Sequence, residues 1–180
     1  MCIRDRSDTG PRIDAVRKGV AKGRRRYFFA GCAAAFDTLS EGMKSTLRSL
    51  RAVHSSRHVF GKSAAIPDDM ADLFGNADKA LQDAEHPVVI KHPLSGRETL
   101  YVNPGFTTRF VGWTEKESNS LLAFLYEHIS RPEHTYRFQW SKGALAFWDN
   151  RATWHLAVND YPGETRLMHR ITIEGEPLEP

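Results

Sequence analysis

The 180-residue chain has only two cysteines, Cys2 and Cys32, far apart and without C-x-x-C spacing. That excludes a disulfide framework and a zinc knuckle. No apolar run approaches the roughly 18 residues of a membrane span, and no N-terminal apolar stretch ends in a small-residue cleavage site. A soluble, cytoplasmic protein without a membrane partner is therefore expected. Glycine-rich phosphate loops and internal repeats are missing. None of the eight histidines opens an H-x-D, H-x-E or H-E-x-x-H motif. What is present, 41% hydrophobic and 26% charged residues, matches an ordinary globular domain, and the length suits one such unit.

The net charge of +3 is unevenly placed. Residues 1–26 hold nine Lys/Arg against three Asp, a net of +6, so the remainder is −3. The basic character belongs to this leader and not to the domain, which makes a nucleic-acid partner unexpected. Ile3, Ile13, Val16 and Val20 are the leader's only large aliphatic side chains and follow no regular period. Residues 1–26 are expected to stay outside the core, as a disordered tail or a stretch foreign to the gene, with a basic binding arm as the competing reading.

Residues 27–180 form the domain proper. Leu39, Met43, Leu47, Leu50 and Val53 recur at helical spacing behind a possible N-cap at Ser40, predicting one or two helices over 33–53. Residues 54–65 read as loop, and 68–84 as a second helical region. Residues 87–90 and 99–102 flank the breaker-rich His92-Pro93-Leu94-Ser95-Gly96 and describe a hairpin. Thr114 and Glu117 fit a capping box ahead of a helix ending near Ser130. Tyr136, Phe138 and Trp140 alternate with polar residues, a turn follows at 141–143, and residues 144–148 are expected to return as the hairpin partner. Leu167–Ile173 reads as the last strand. A mainly β fold with flanking helices follows.

Two features could carry chemistry. Polar residues Trp148-Asp149-Asn150-Arg151, then Thr153 and His155, follow a buried strand. A histidine there can ligate a metal, act as a base, or simply satisfy a structural hydrogen bond. Arg166 and Arg170 share one face of the last strand and could each grip an anion with two parallel hydrogen bonds, or belong to a solvated face. Phe106 and Tyr101 could line a pocket or fill the core. Cys32, among alanines, reads as a small buried residue.

These residues resemble a known family. From about Ala34 to Pro177, the stretches Ala35–Ser40, Leu50–His54, His86–Val89, His92–Gly96, Tyr101–Arg109, Trp148–His155 and Arg166–Arg170 resemble, in order, the TauD/TfdA dioxygenases. The resemblance implies a double-stranded β-helix, or jelly roll, with helices outside, here a partial one. It implies Fe(II) as metal, with 2-oxoglutarate and O₂ as cosubstrates, and hydroxylation of a small anionic substrate such as a sulfonate, alkyl sulfate or aryloxy acid. Succinate and CO₂ are then released. His155 matches the distal histidine of a two-histidine, one-carboxylate metal triad. Arg166 matches the arginine that pairs with the distal carboxylate of 2-oxoglutarate, Arg170 an arginine on the substrate anion, and Phe106 an aromatic of the substrate pocket. The family's H-x-D pair lies upstream of the matched region and is not in this chain, and Gly23–Phe29 stands where a G-G-D-T-like strand is usual. The chain is thus expected to be a C-terminal fragment, inactive as it stands, of a homo-oligomeric enzyme. The alternative is a truncated, non-catalytic paralogue that serves as a binding module.

Overall fold

The computed structural model describes residues 10–15, 19–20, 26–56, 83–141, 143–158, 167–168, 171–175 and 178. In chain order it runs β1 (Gly10–Ala15), β2 (Gly19–Val20), β3 (Arg26–Gly31), α1 (Cys32–Asp37), α2 (Glu41–Arg48) and β4 (Arg51–Ser55). There follow β5 (Asp83–Pro87), β6 (Val89–Lys91), β7 (Glu98–Leu100), β8 (Thr107–Phe110) and α3 (Glu115–Ile129). The chain closes with β9 (Thr135–Gln139), β10 (Phe147–Asp149), β11 (Thr153–Ala157), β12 (Leu167–Met168) and β13 (Ile171–Gly175).

Helix boundaries follow local chemistry. The Ser40 hydroxyl accepts from Met43 N–H and starts α2. Helical spacing over 33–53 resolves into two short helices, but Val53 belongs to β4. There its backbone pairs with β5 and β8, and tertiary pairing overrides the local period. Thr114 and Glu117 form both halves of the capping box, and α3 ends at Ser130 as its pattern requires. The hairpin of β6 and β7 sets Val89 opposite Leu100 and Lys91 opposite Glu98. Its turn needs a left-handed residue, supplied by Gly96 at φ 68°. Of the helix expected over 68–84, Asp83 and Ala84 lie in β5 and the rest falls outside the described residues.

The C-terminal strands depart from the simplest reading of the sequence. Residues 135–139 and 147–149 do not form a hairpin. β9 pairs with β3 in the sheet β11-β3-β9, whereas β10 pairs with β1 in the sheet β10-β1-β13. Jelly rolls send successive strands to two different sheets, so adjacency in sequence misleads here. The last strand likewise divides: Leu167–Met168 pairs with β2 and Ile171–Gly175 with β1. Two stretches of the basic leader, Gly10–Ala15 and Gly19–Val20, therefore pair in sheets. Placed between β10 and β13, β1 satisfies backbone groups on both edges. Pro11, which has no N–H to give, sits where the β1–β13 register shifts.

The main core gathers Phe36, Leu47, Val88, Leu100, Phe110, Leu122, Leu125 and Ile129 between the helices and the strands β4 to β8. A second, aromatic cluster of Tyr27, Trp140 and Trp148 lies by the sheet of β3, β9 and β11. Cys32 is buried as its alanine neighbours suggest, and desolvation pushes its thiol up to about 12. Among the described residues no helix is long and apolar enough to cross a membrane.

Candidate active site

His155 lies in the middle of β11, buried and directly opposite Phe29 of β3. Side chains of paired antiparallel residues share a face, so His155, Phe29 and Tyr27 point to the same side of the sheet. Three rings surround the imidazole. Trp148 is 5.0 Å away between centroids, Tyr27 stacks at 6.1 Å and Phe29 sits at 6.4 Å. Trp148 is itself oriented by its indole N–H, which donates to Asn150 Oδ1 at 3.0 Å.

The turn leading into β11 is fixed by a charge network. Asp149 accepts from the Arg151 backbone N–H at 2.8 Å, from its Nε at 2.9 Å and from its Nη2 at 2.6 Å. His92 Nε2 reaches the same carboxylate at 2.8 Å. Because His92 Nδ1 accepts from Ser95 N–H, Nε2 is the nitrogen left to donate. Burial raises the Asp149 carboxyl, but the Arg151 and His92 hydrogen bonds outweigh it and hold the group below the usual carboxylate range. The turn is further tied to the start of α1, where Cys32 N–H donates to Ala152 carbonyl at 2.9 Å. His155 therefore sits on a rigid strand whose entry is pinned from β6–β7 and from α1.

Phe106 is buried in the turn ahead of β8, on a different sheet from His155. Trp154 connects the two regions, donating its indole N–H to Val102 carbonyl at 2.9 Å. Tyr101 is also buried, stacked on His54 at 5.4 Å. Arg166 and Arg170 fall outside the described residues. The aromatic enclosure and the role of His92 were not foreseen from the sequence; alternation of Tyr27 and Phe29 ahead of α1 was the available signal for the first, and the second, a contact across 57 residues, left none.

The described residues alone do not fit an iron(II) centre. Among them no group of three or more His, Cys, Asp or Glu side chains is placed to hold a metal ion. His155 would contribute one imidazole, and the Tyr27 ring lies against it.

Comparison with known proteins supplies context for this geometry. The model of the family described as taurine catabolism dioxygenase TauD, TfdA matches residues 27–172. An alkylsulfatase of Acinetobacter baylyi is 38% identical over 150 residues, covering 82% of this chain and 47% of that protein. An alpha-ketoglutarate-dependent sulfate ester dioxygenase of Pseudomonas putida is 38% identical over 152 residues, covering 82% of this chain and 50% of its own length. The crystal structure of a taurine dioxygenase from Burkholderia xenovorans superposes with a TM-score of 0.76 at 32% identity, over 94% of this chain and 55% of that one. The chain spans about half the length of the curated relatives it matches.

Proposed function

The chain belongs to the TauD/TfdA dioxygenase family, and on that premise we propose that it carries the substrate-binding half of an iron(II)- and 2-oxoglutarate-dependent dioxygenase acting on a small sulfate ester or sulfonate. The observation that carries this reading is the buried His155 on a strand whose entry turn is pinned by Asp149, Arg151 and His92. Such support is what a ligand side chain needs to keep one orientation. In this reading His155 is one metal ligand, and Arg166 grips the distal carboxylate of 2-oxoglutarate. Arg170 holds the anionic head of the primary substrate with two parallel hydrogen bonds, and Phe106 covers its apolar part. The names of two relatives, the alkylsulfatase and the sulfate ester dioxygenase, favour a sulfate ester as that substrate.

The test is a chimera that adds, ahead of Tyr27, the part of the Acinetobacter baylyi relative that this chain does not match. It should form succinate from 2-oxoglutarate in the presence of Fe(II), O₂ and an alkyl sulfate. His155→Ala should lower that rate by more than the about 100-fold that outer-shell partners of a metal site account for. Arg166→Ala should raise the KM for 2-oxoglutarate, and Arg170→Ala the KM for the alkyl sulfate, each about tenfold or more. Succinate formation indifferent to His155 would sink the proposal.

One observation favours a second reading, a non-catalytic binding module. The rings of Tyr27, Phe29 and Trp148 pack against His155, and the described residues offer no three-ligand group. Calorimetric titration of the chimera separates the two: Fe(II)-dependent binding of 2-oxoglutarate that His155→Ala abolishes supports the enzyme, and no binding at millimolar ligand supports the module.

A further inference from the structure

The turn that presents Phe106 is gripped from several directions. Within it, Asn103 N–H donates to Thr107 Oγ1 at 2.8 Å, and Asn103 Oδ1 accepts from Gly105 N–H at 3.0 Å. From β4, Ser55 N–H donates to the Phe106 carbonyl at 2.8 Å. From α3, the Tyr126 hydroxyl donates to the Asn103 carbonyl at 3.1 Å. Burial pushes that hydroxyl up to about 12, so it remains a donor at neutral pH. From β11, the Trp154 indole donates to Val102, and its ring meets Tyr126 edge-on with centroids 5.7 Å apart.

Trp154 immediately precedes His155. In a strand these neighbours point to opposite faces. One short strand therefore carries the candidate metal ligand on its front and holds the Phe106 turn from its back. Any slip of the turn along β11 has to break the Trp154 bond, the Tyr126 bond, or the contact between their rings.

We propose that Trp154 and Tyr126 are positioning residues that fix the Phe106 turn relative to His155 and so set the fit of the primary substrate. The inference rests on the assignment of Phe106 to the substrate pocket made above. Neither side chain touches the reacting atoms. Each acts through the backbone it holds, and an error of about 1 Å in such placement is enough to cost a large part of an active site's efficiency.

Trp154→Phe and Tyr126→Phe each delete one donor and keep a ring, which limits damage to the fold. In the 180-residue chain, hydrogen–deuterium exchange over residues 102–107 should accelerate about fivefold in either variant, the effect of one hydrogen bond, with α3 and β11 unchanged. In the chimera described above, either variant should raise the KM for the alkyl sulfate about fivefold and leave kcat and the KM for 2-oxoglutarate within about twofold. Unchanged exchange over 102–107 overturns the proposal. So does acceleration spread evenly over α3 and β11, or an equal rise in both KM values, since either describes a general loss of structure. A chimera that forms no succinate counts against the dioxygenase reading instead, and the exchange experiment then decides the positioning role alone.

Discussion

Around α3, side chains from several elements interlock into a buried core of Phe36, Leu47, Val88, Leu100, Phe110, Leu125 and Ile129. Around His155 the buried apolar set shrinks to Tyr27, Trp140 and Trp148. The strands beside them expose Tyr136 at 65%, Phe147 at 63% and Leu156 at 64%. The first region packs its large side chains against one another. The second behaves as one wall of an enclosure, its rings packed on one another while large apolar side chains on the same strands remain uncovered.

The sharpest way to break the comparison is to cut into both regions. Phe110→Ala, in the closed region, should cost about 3–5 kcal/mol in urea unfolding through lost burial and the cavity left behind. Next in size is Arg151→Ala, which strips Asp149 of its strongest partner and should cost about 2 kcal/mol. The same pair gives a pH dependence. Asp149 is held below the usual carboxylate range in the fold, so its contribution is present above about pH 4 and lost as pH falls through its folded value. Thermal midpoints of the parent and Asp149→Asn should therefore differ at neutral pH and converge in acid; parallel curves would remove Asp149 from the stabilising network. Smallest of all, Leu156→Ser should change stability by no more than about 0.5 kcal/mol and reduce self-association in sedimentation. A loss there as large as that of Phe110→Ala would mean the second region is closed after all.

The two regions were also unequally legible in the sequence. Where structure is made locally, the residues announced it: Thr114 and Glu117 cap α3, Ser40 caps α2, and the breakers between residues 92 and 96 turn a real hairpin. Where strands pair over long distances, the local pattern pointed the wrong way. Residues 135–149 looked like a hairpin because alternation records which face is apolar and not which strand lies alongside. Val53 fell in phase with a helix although its backbone belongs to β4. For the site, Trp148-Asp149-Asn150-Arg151 and His155 stood out because polar residues after a buried strand need an explanation. His92 did not, since its connection to Asp149 spans 57 residues and leaves no spacing to find.

The place of β1 has a consequence for how the molecule is made. Gly10 lies opposite Gly175, and Ala15 opposite Ile171, so this sheet joins segments far apart in sequence. The β6–β7 hairpin can close within microseconds of leaving the ribosome. β1 can pair with β10 once residue 149 has emerged, whereas its other edge stays open until β13 follows, so the β10-β1-β13 sheet is completed late. That interval, set by translation speed, is when the nascent protein is most open to pairing with a neighbour and to capture by chaperones.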